Sequence, residues 1–245
     1  MTSARAIAWR EVRRQLASPT TWLIVGLFAL LAGGAFVTTL GAFLDQSSQA
    51  LSAPPPQPIN LNQLLIRPFL LQVGLIALLV LPLITARAYA TLKPAPVTRS
   101  HITLTTFVGT LIVYSTMLLV SMVLVAVLFL YGAPEWGSIA SGYLGLWLIG
   151  TAFISVALFM SSLATSAVAA GIATFAISLM LVAATWLARS GAPAAQPVFR
   201  SLSIGEGLDD FAKGVLDTGH IVSCLTIIAL GVFLTLHTRE PEATR

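Results

Sequence analysis

The sequence predicts an all-α membrane protein: six transmembrane helices, an N-terminal interfacial amphipathic helix, and an outer-face amphipathic helix before the last span. Three observations predict it. Of 245 residues, 57% are hydrophobic and only 9% are charged, with a mean hydropathy of +0.91, whereas a soluble domain carries about 25% charged residues to cover its surface. Six stretches reach the roughly 20 apolar residues needed to cross a bilayer core, where each backbone polar group must be satisfied inside its own helix. The basic residues are also distributed unevenly among the segments that join these stretches. The chain reads as one transmembrane domain over residues 1–245.

The first element is the interfacial helix over residues 4–18. At about 100° per residue, Ala8, Trp9, Val12 and Leu16 fall in one sector while Arg10, Arg13 and Arg14 fall opposite. Such a helix either anchors the orientation of the chain or binds a partner. Pro19 then ends it, because proline removes a backbone donor and suits the first turn of a following helix. The apolar run after it is too long for a signal-peptide core and lacks a small-residue cleavage site, so it is expected to stay as a span.

The spans are expected at about Thr21–Leu44, Pro68–Ala86, Ile102–Tyr131, Tyr143–Ser162, Val168–Ala188 and Ile221–Thr238. Between the first two lies a spacer in which Pro54, Pro55, Pro56 and Pro58 favour an extended chain. "GAPEWGSIASG" reads as a short turn with Trp136 anchoring at the interface. In the segment 200–218, Leu208, Phe211, Ala212, Val215 and Leu216 follow i, i+3, i+4, i+7, i+8 spacing, with Glu206, Asp209, Asp210 and Lys213 opposite. That segment is expected to fold as a helix against the outer mouth of the bundle, its carboxylates forming a solvated face. Their spacing does not match a calcium-binding loop.

Charge assigns the sides. Nine of the 13 Lys and Arg precede the first span, lie between the second and third, or follow the sixth, giving a net charge of about +6 there and −2 on the opposite face. The basic face is expected to be cytoplasmic, with both termini on it. The high isoelectric point therefore reports orientation in a lipid bilayer, and no nucleic-acid partner is implied.

The chemistry-bearing motifs are absent from the sequence. It has no G-x-x-x-x-G-K-[ST], no G-x-G-x-x-G and no H-E-x-x-H. Cys224 is the only cysteine, and His101, His220 and His237 lie in separate segments. No Asp, Glu, Lys or Arg stands in the middle of a span, so neither intramembrane hydrolysis nor ion-coupled transport has its usual groups. No catalytic, cofactor-binding or metal-binding residue is assigned, and the chain is not expected to be an enzyme. Small residues are frequent instead. Gly26, Gly33, Gly34 and Gly41 in the first span and Ala169, Ala170, Gly171 and Ala173 in the fifth either pack the monomer or form a dimer seam.

Several stretches carry a resemblance across essentially the whole chain: "LASPTTWL", "LPLITARAYA", "APVT", "PEWGSIASGYLGLWLIG" and "SLSIGEGLDDFAKGVLD". They resemble the ABC-2 type permeases, and within them the gliding-motility-associated and nitrous-oxide-reductase-accessory branch. The resemblance implies a six-span subunit in the bacterial inner membrane, a homodimer or a heterodimer with a second permease. A separate cytoplasmic ATPase, carrying the ATP and Mg, would serve it. It implies an ATPase-contact set of Arg87, Tyr89, Lys93, Pro96 and Arg99, joined by Arg10, Arg13 and Arg14, and an outer gate of Leu208, Phe211, Lys213, Gly214 and Asp217. In the family, the loop between the second and third spans carries an acidic, Gly-Thr-containing helix that docks on the ATPase. This sequence passes directly from Tyr89 to Lys93 and Pro94 with no acidic residue and no glycine. That departure admits an alternative, a non-transporting scaffold or assembly subunit of a heteromeric complex.

Overall fold

The computed structural model describes Arg13 and residues 17–52, 59–92, 99–130, 132, 134–164, 166–190 and 204–237. These residues form helices α1 (Pro19–Ser52), α2 (Arg67–Leu92), α3 (Arg99–Leu128), α4 (Trp136–Leu163), α5 (Ala167–Ser190), α6 (Ile204–Ala212) and α7 (Thr218–His237), with a π-helical turn, Asn62–Ile66, leading into α2. Among the described residues there is no strand. Among the described residues, five helical segments are long and apolar enough to cross a membrane: Pro19–Ser52, Asn62–Thr85, Thr103–Leu128, Trp136–Leu163 and Thr218–His237. The described apolar part of α5, Val168–Met180, is shorter. By length and composition, the fold fits a multi-pass membrane protein.

α4 is the axis of the bundle. It packs along α2, α3, α5, α6 and α7, and its buried residues occur on all sides, from Ser138 to Ser161. A helix apolar all round can be enclosed in this way. α7 buries only Gly231 and Thr235, and α1 leaves Trp22, Leu23, Leu30 and Val37 exposed.

Close approach is set by glycines in α4 and its neighbours. A Cβ on Gly231 of α7 would stand 2.9 Å from the Ser155 carbonyl carbon of α4, so the two backbones touch. Tyr114 of α3 is fully buried with its ring over Gly150, and its hydroxyl donates to the Leu146 carbonyl at 2.6 Å. The four glycines of α1, Gly26, Gly33, Gly34 and Gly41, have no atom within 4 Å of the Cβ position. They do not pack the monomer.

Several boundaries differ from the sequence reading. α1 continues past Leu44 to Ser52, and along this extension the Ser47, Ser48 and Ser52 hydroxyls donate to the carbonyls of Phe43, Asp45 and Ser48 at 2.6, 2.8 and 2.8 Å. Its 34 residues exceed the ~20 needed for the hydrocarbon core. Trp136 begins α4 and is not part of a turn; its ring stacks on Phe129 at 4.3 Å. The apolar stripe in 200–218 is cut short at Ala212, which leaves Val215 and Leu216 exposed.

Candidate functional site: the α6 wedge and its charged clamp

α6 lies at the end of the bundle where α2 and α4 begin, inserted against both. The spacing of its apolar residues explains why it lodges there. Leu208, Phe211 and Ala212 share one face and are 4%, 1% and 1% exposed. They fit because the receiving helices present glycine. A Cβ on Gly74 of α2 would stand 2.6 Å from Leu208 Cδ2, and one on Gly145 of α4 would stand 2.6 Å from Phe211 Cγ. Ser141 Oγ, one turn before Gly145, lies 2.7 Å from both the Phe211 and the Gly137 carbonyls, so its single proton bridges α6 to α4.

The wedge ends in a reversal whose geometry requires glycine. Gly214 has φ +88°, a region where a Cβ would crowd the carbonyl. The Val215 and Gly214 amides donate to the Asp210 and Phe211 carbonyls, both at 3.0 Å, which is the hydrogen-bond pattern of a Schellman cap. Asp217 then caps α7, accepting from the Gly219 amide at 2.8 Å. Its other oxygen meets His220 Nδ1 at 3.1 Å. The His220 ring lies against Gly207 and approaches Phe211 edge-on, with centroids 6.5 Å apart.

The polar face of α6 is clamped to α2. Arg67 donates to both Asp209 oxygens, from Nε at 2.5 Å and Nη2 at 2.8 Å, and Lys213 Nζ reaches Asp209 at 2.8 Å and Asp210 at 3.3 Å. The Asp209 side chain is 15% exposed, against 36% for Arg67 and 42% for Lys213. The expectation of a solvated acidic face fails at this residue, because the bidentate guanidinium replaces the water. Burial by itself would raise the Asp209 pKa, but hydrogen bonds from Arg67 and Lys213, and their charges, hold it below the usual carboxylate range. The Lys213 pKa is raised, first by its hydrogen bond to Asp209.

A second clamp closes the same end. Asn62 Nδ2 donates to Glu135 Oε2 at 2.9 Å, and the Glu135 amide donates back to Asn62 Oδ1 at 3.3 Å. One primary amide thus satisfies both the carboxylate and the backbone of the residue that precedes α4. Among the described residues, no three His, Cys, Asp or Glu gather closely enough to hold a metal ion.

No family model matches the chain, and no curated protein matches it.

The five expected outer-gate residues come together in space: Leu208 and Phe211 form the wedge, Lys213 joins the clamp, Gly214 makes the reversal and Asp217 caps α7. The expected ATPase-contact set is placed only in part. Arg13 is helical and exposed. Arg87 and Tyr89 lie in the last turns of α2 and Arg99 opens α3, but their side chains are outside the described residues. Arg10, Arg14, Lys93 and Pro96, and most of the interfacial helix 4–18, are also outside them. Sequence reasoning missed Arg67, Asn62, Glu135 and Ser141 as partners in this site. Arg67 and Asp209 are 142 positions apart, and Asn62 and Glu135 are 73 apart. The usable signal was Gly142 and Gly145 near the start of α4, since paired small residues on one face invite a close neighbour.

Proposed function

We propose that the chain is the membrane-spanning subunit of an ATP-driven ABC-2 type permease in the bacterial inner membrane. α5 is the fifth of its six spans, α7 is the sixth, and both termini are cytoplasmic. The observation that carries this reading is the position of α6: a nine-residue helix lodged in one mouth of the bundle immediately before the last span. It closes that mouth with a side chain on each of two glycine seats and is held from the rim by charge pairs. The open glycine face of α1 supports assembly of two permease subunits. The interfacial helix at 4–18 and the basic segment around Arg87, Tyr89, Lys93, Pro96 and Arg99 take the stroke of a separate ATPase, with Arg10, Arg13 and Arg14.

The experiment is co-purification of the full-length chain from native membranes in mild detergent, with mass spectrometry of what accompanies it. A nucleotide-hydrolysing protein is expected in stoichiometric amount, with an ATPase rate that falls when Arg87, Lys93 and Arg99 are neutralised. Recovery of no such companion, or labelling of residues 87–99 from outside the cell, overturns the reading.

One observation favours a second reading, a non-transporting scaffold subunit. The segment from Arg87 to Arg99 has no acidic residue and no glycine, unlike the ATPase-docking helix that the resemblance implies. The substitutions at Arg87, Lys93 and Arg99 would then break assembly and leave ATP turnover untouched.

A further inference from the structure

Val215 and Leu216 are the apolar residues that the packing leaves unused. Sequence spacing sets them on the stripe of Leu208 and Phe211, but the reversal at Gly214 turns them off it, and they are 54% and 57% exposed. The cap itself gives Val215 no cover. In a Schellman cap the residue after the glycine ordinarily packs its side chain on the residue whose carbonyl it bonds, and here that residue is Asp210. Lys213 and Asp217 flank the pair with exposed side chains, so the reversal is an apolar tip between two charged shoulders.

Two features set the level of this tip in the bilayer. α7 follows at Thr218 and has 20 residues, which at a rise of about 1.5 Å each span about 30 Å, the thickness of the hydrocarbon core. As a span, α7 therefore begins at the boundary of the core, and Leu216, two residues earlier, lies within about 7 Å of it. The second feature is Trp136, exposed at the start of α4, a residue type that settles at the interface. The reversal stands beside it: a Cβ on Gly214 would lie 3.3 Å from the Oγ of Ser138, two residues after Trp136. At that level an exposed Val–Leu pair meets acyl chains, while the charges of Lys213 and Asp217 keep it from sinking further. Exposed apolar residues continue from it down α7 at Val222 and Leu225.

We propose that the Val215–Leu216 tip inserts into the lipid interface and is a third fastening of the α6 wedge, beside the Asp209 clamp and the glycine seats. The cap transmits its hold. The Gly214 and Val215 amides bond back to the Phe211 and Asp210 carbonyls at 3.0 Å, so lifting α6 off Gly74 and Gly145 withdraws the tip from lipid or breaks the cap. The bilayer thereby acts directly on the closure of this mouth. The inference rests on α7 crossing the membrane and is independent of what the bundle carries or what drives it.

The test uses the full-length protein in phosphatidylcholine nanodiscs, with Cys224→Ala removing the single cysteine. A spin label on Leu216→Cys is compared with one on Leu225→Cys, further along α7. The Leu216 label is expected to be relaxed more by oxygen than by a water-soluble nickel chelate, at a depth shallower than the Leu225 label. A Leu216 label that favours the chelate, as in water, or that neither reagent reaches, as beneath a protein partner, overturns the proposal. In unlabelled protein, Val215→Ser with Leu216→Ser should speed hydrogen exchange of the α6 amides, residues 206–212, about tenfold, while residues 150–158 of α4 keep their protection. Val215→Ile with Leu216→Phe should leave α6 at the wild-type rate. Wild-type exchange of α6 in the double serine variant overturns the proposal, and where that variant also loses protection at 150–158 the spin label decides alone. Neither readout measures transport or ATP hydrolysis, so the outcome is separate from that of the permease reading.

Discussion

Removing the Asp209 carboxylate should free the α6 wedge while leaving the bundle folded. Asp209 receives three charge-assisted hydrogen bonds, two from Arg67 and one from Lys213. Such bonds contribute about 1.5–3 kcal/mol each when shielded. Arg67 and Lys213 are 36% and 42% exposed, so solvent screening reduces the Lys213 contribution to a few tenths of a kcal/mol and that of Arg67 to about 1–2 kcal/mol. Asp209→Asn keeps the shape and loses the charge, so the local cost is about 2 kcal/mol in total. An opening equilibrium shifts about tenfold for each 1.4 kcal/mol, and exchange of the α6 amides, residues 206–212, should accelerate about 10- to 30-fold. Hydrogen exchange with mass spectrometry on the full-length chain in nanodiscs reads this directly, with residues 150–158 of α4 as the unchanged reference. Arg67→Ala should give a similar acceleration, and the double variant little more than the larger single effect, because the two share one interaction. Fully additive effects, or α6 exchange at the wild-type rate in Asp209→Asn, would refute the reasoning that this clamp holds the wedge.

The other predictions follow from the same structure. The Asp209 pKa is lowered by folding, so its stabilisation is complete above the unfolded value of about 3.9 and is lost as pH falls through the lower folded value. Protection of α6, corrected for intrinsic exchange, should therefore stay flat from neutral pH to about pH 5 and fall only below about pH 4. Lys213 works in the opposite sense: its raised pKa gives stabilisation present below about pH 10.4, lost as pH climbs through the folded value. Gly231→Ala places a Cβ 2.9 Å from the Ser155 backbone and must part α4 from α7. A loss of about 1–3 kcal/mol is expected, seen as a drop of several degrees in the detergent-solubilised melting temperature. Tyr114→Phe deletes the 2.6 Å bond to the Leu146 carbonyl and should lower the same midpoint by the equivalent of about 1 kcal/mol.

Much of the secondary structure was legible in the sequence, and most of the site was not. The apolar runs announced the helices because hydrocarbon leaves a spanning backbone little choice but to bond within itself. The i, i+3, i+4 spacing of Leu208, Phe211 and Ala212 announced α6 for the same local reason. Its end point was less visible. Val215 and Leu216 continued the stripe on paper, while the reversal at Gly214 took them out of it. The seryl extension of α1 was hidden as well, since Ser47, Ser48 and Ser52 look like loop residues until their hydroxyls are seen to fold back on the helix. The glycines show the same division. Those of α1 drew notice by number yet meet nothing in the monomer, whereas Gly74, Gly145, Gly150 and Gly231 each seat a specific neighbour.

By itself, the sequence determined that this chain is a set of apolar helices with a short amphipathic one before the last, since periodicity and hydropathy are properties of neighbouring residues. Only the tertiary structure decided that α6 is wedged between α2 and α4, that Asp209 is paired with Arg67, and that Asn62 is paired with Glu135. The physical reason is range. A carboxylate in the sequence carries no sign of whether water or a guanidinium 142 residues away will solvate it, and packing alone brings the two within hydrogen-bond distance.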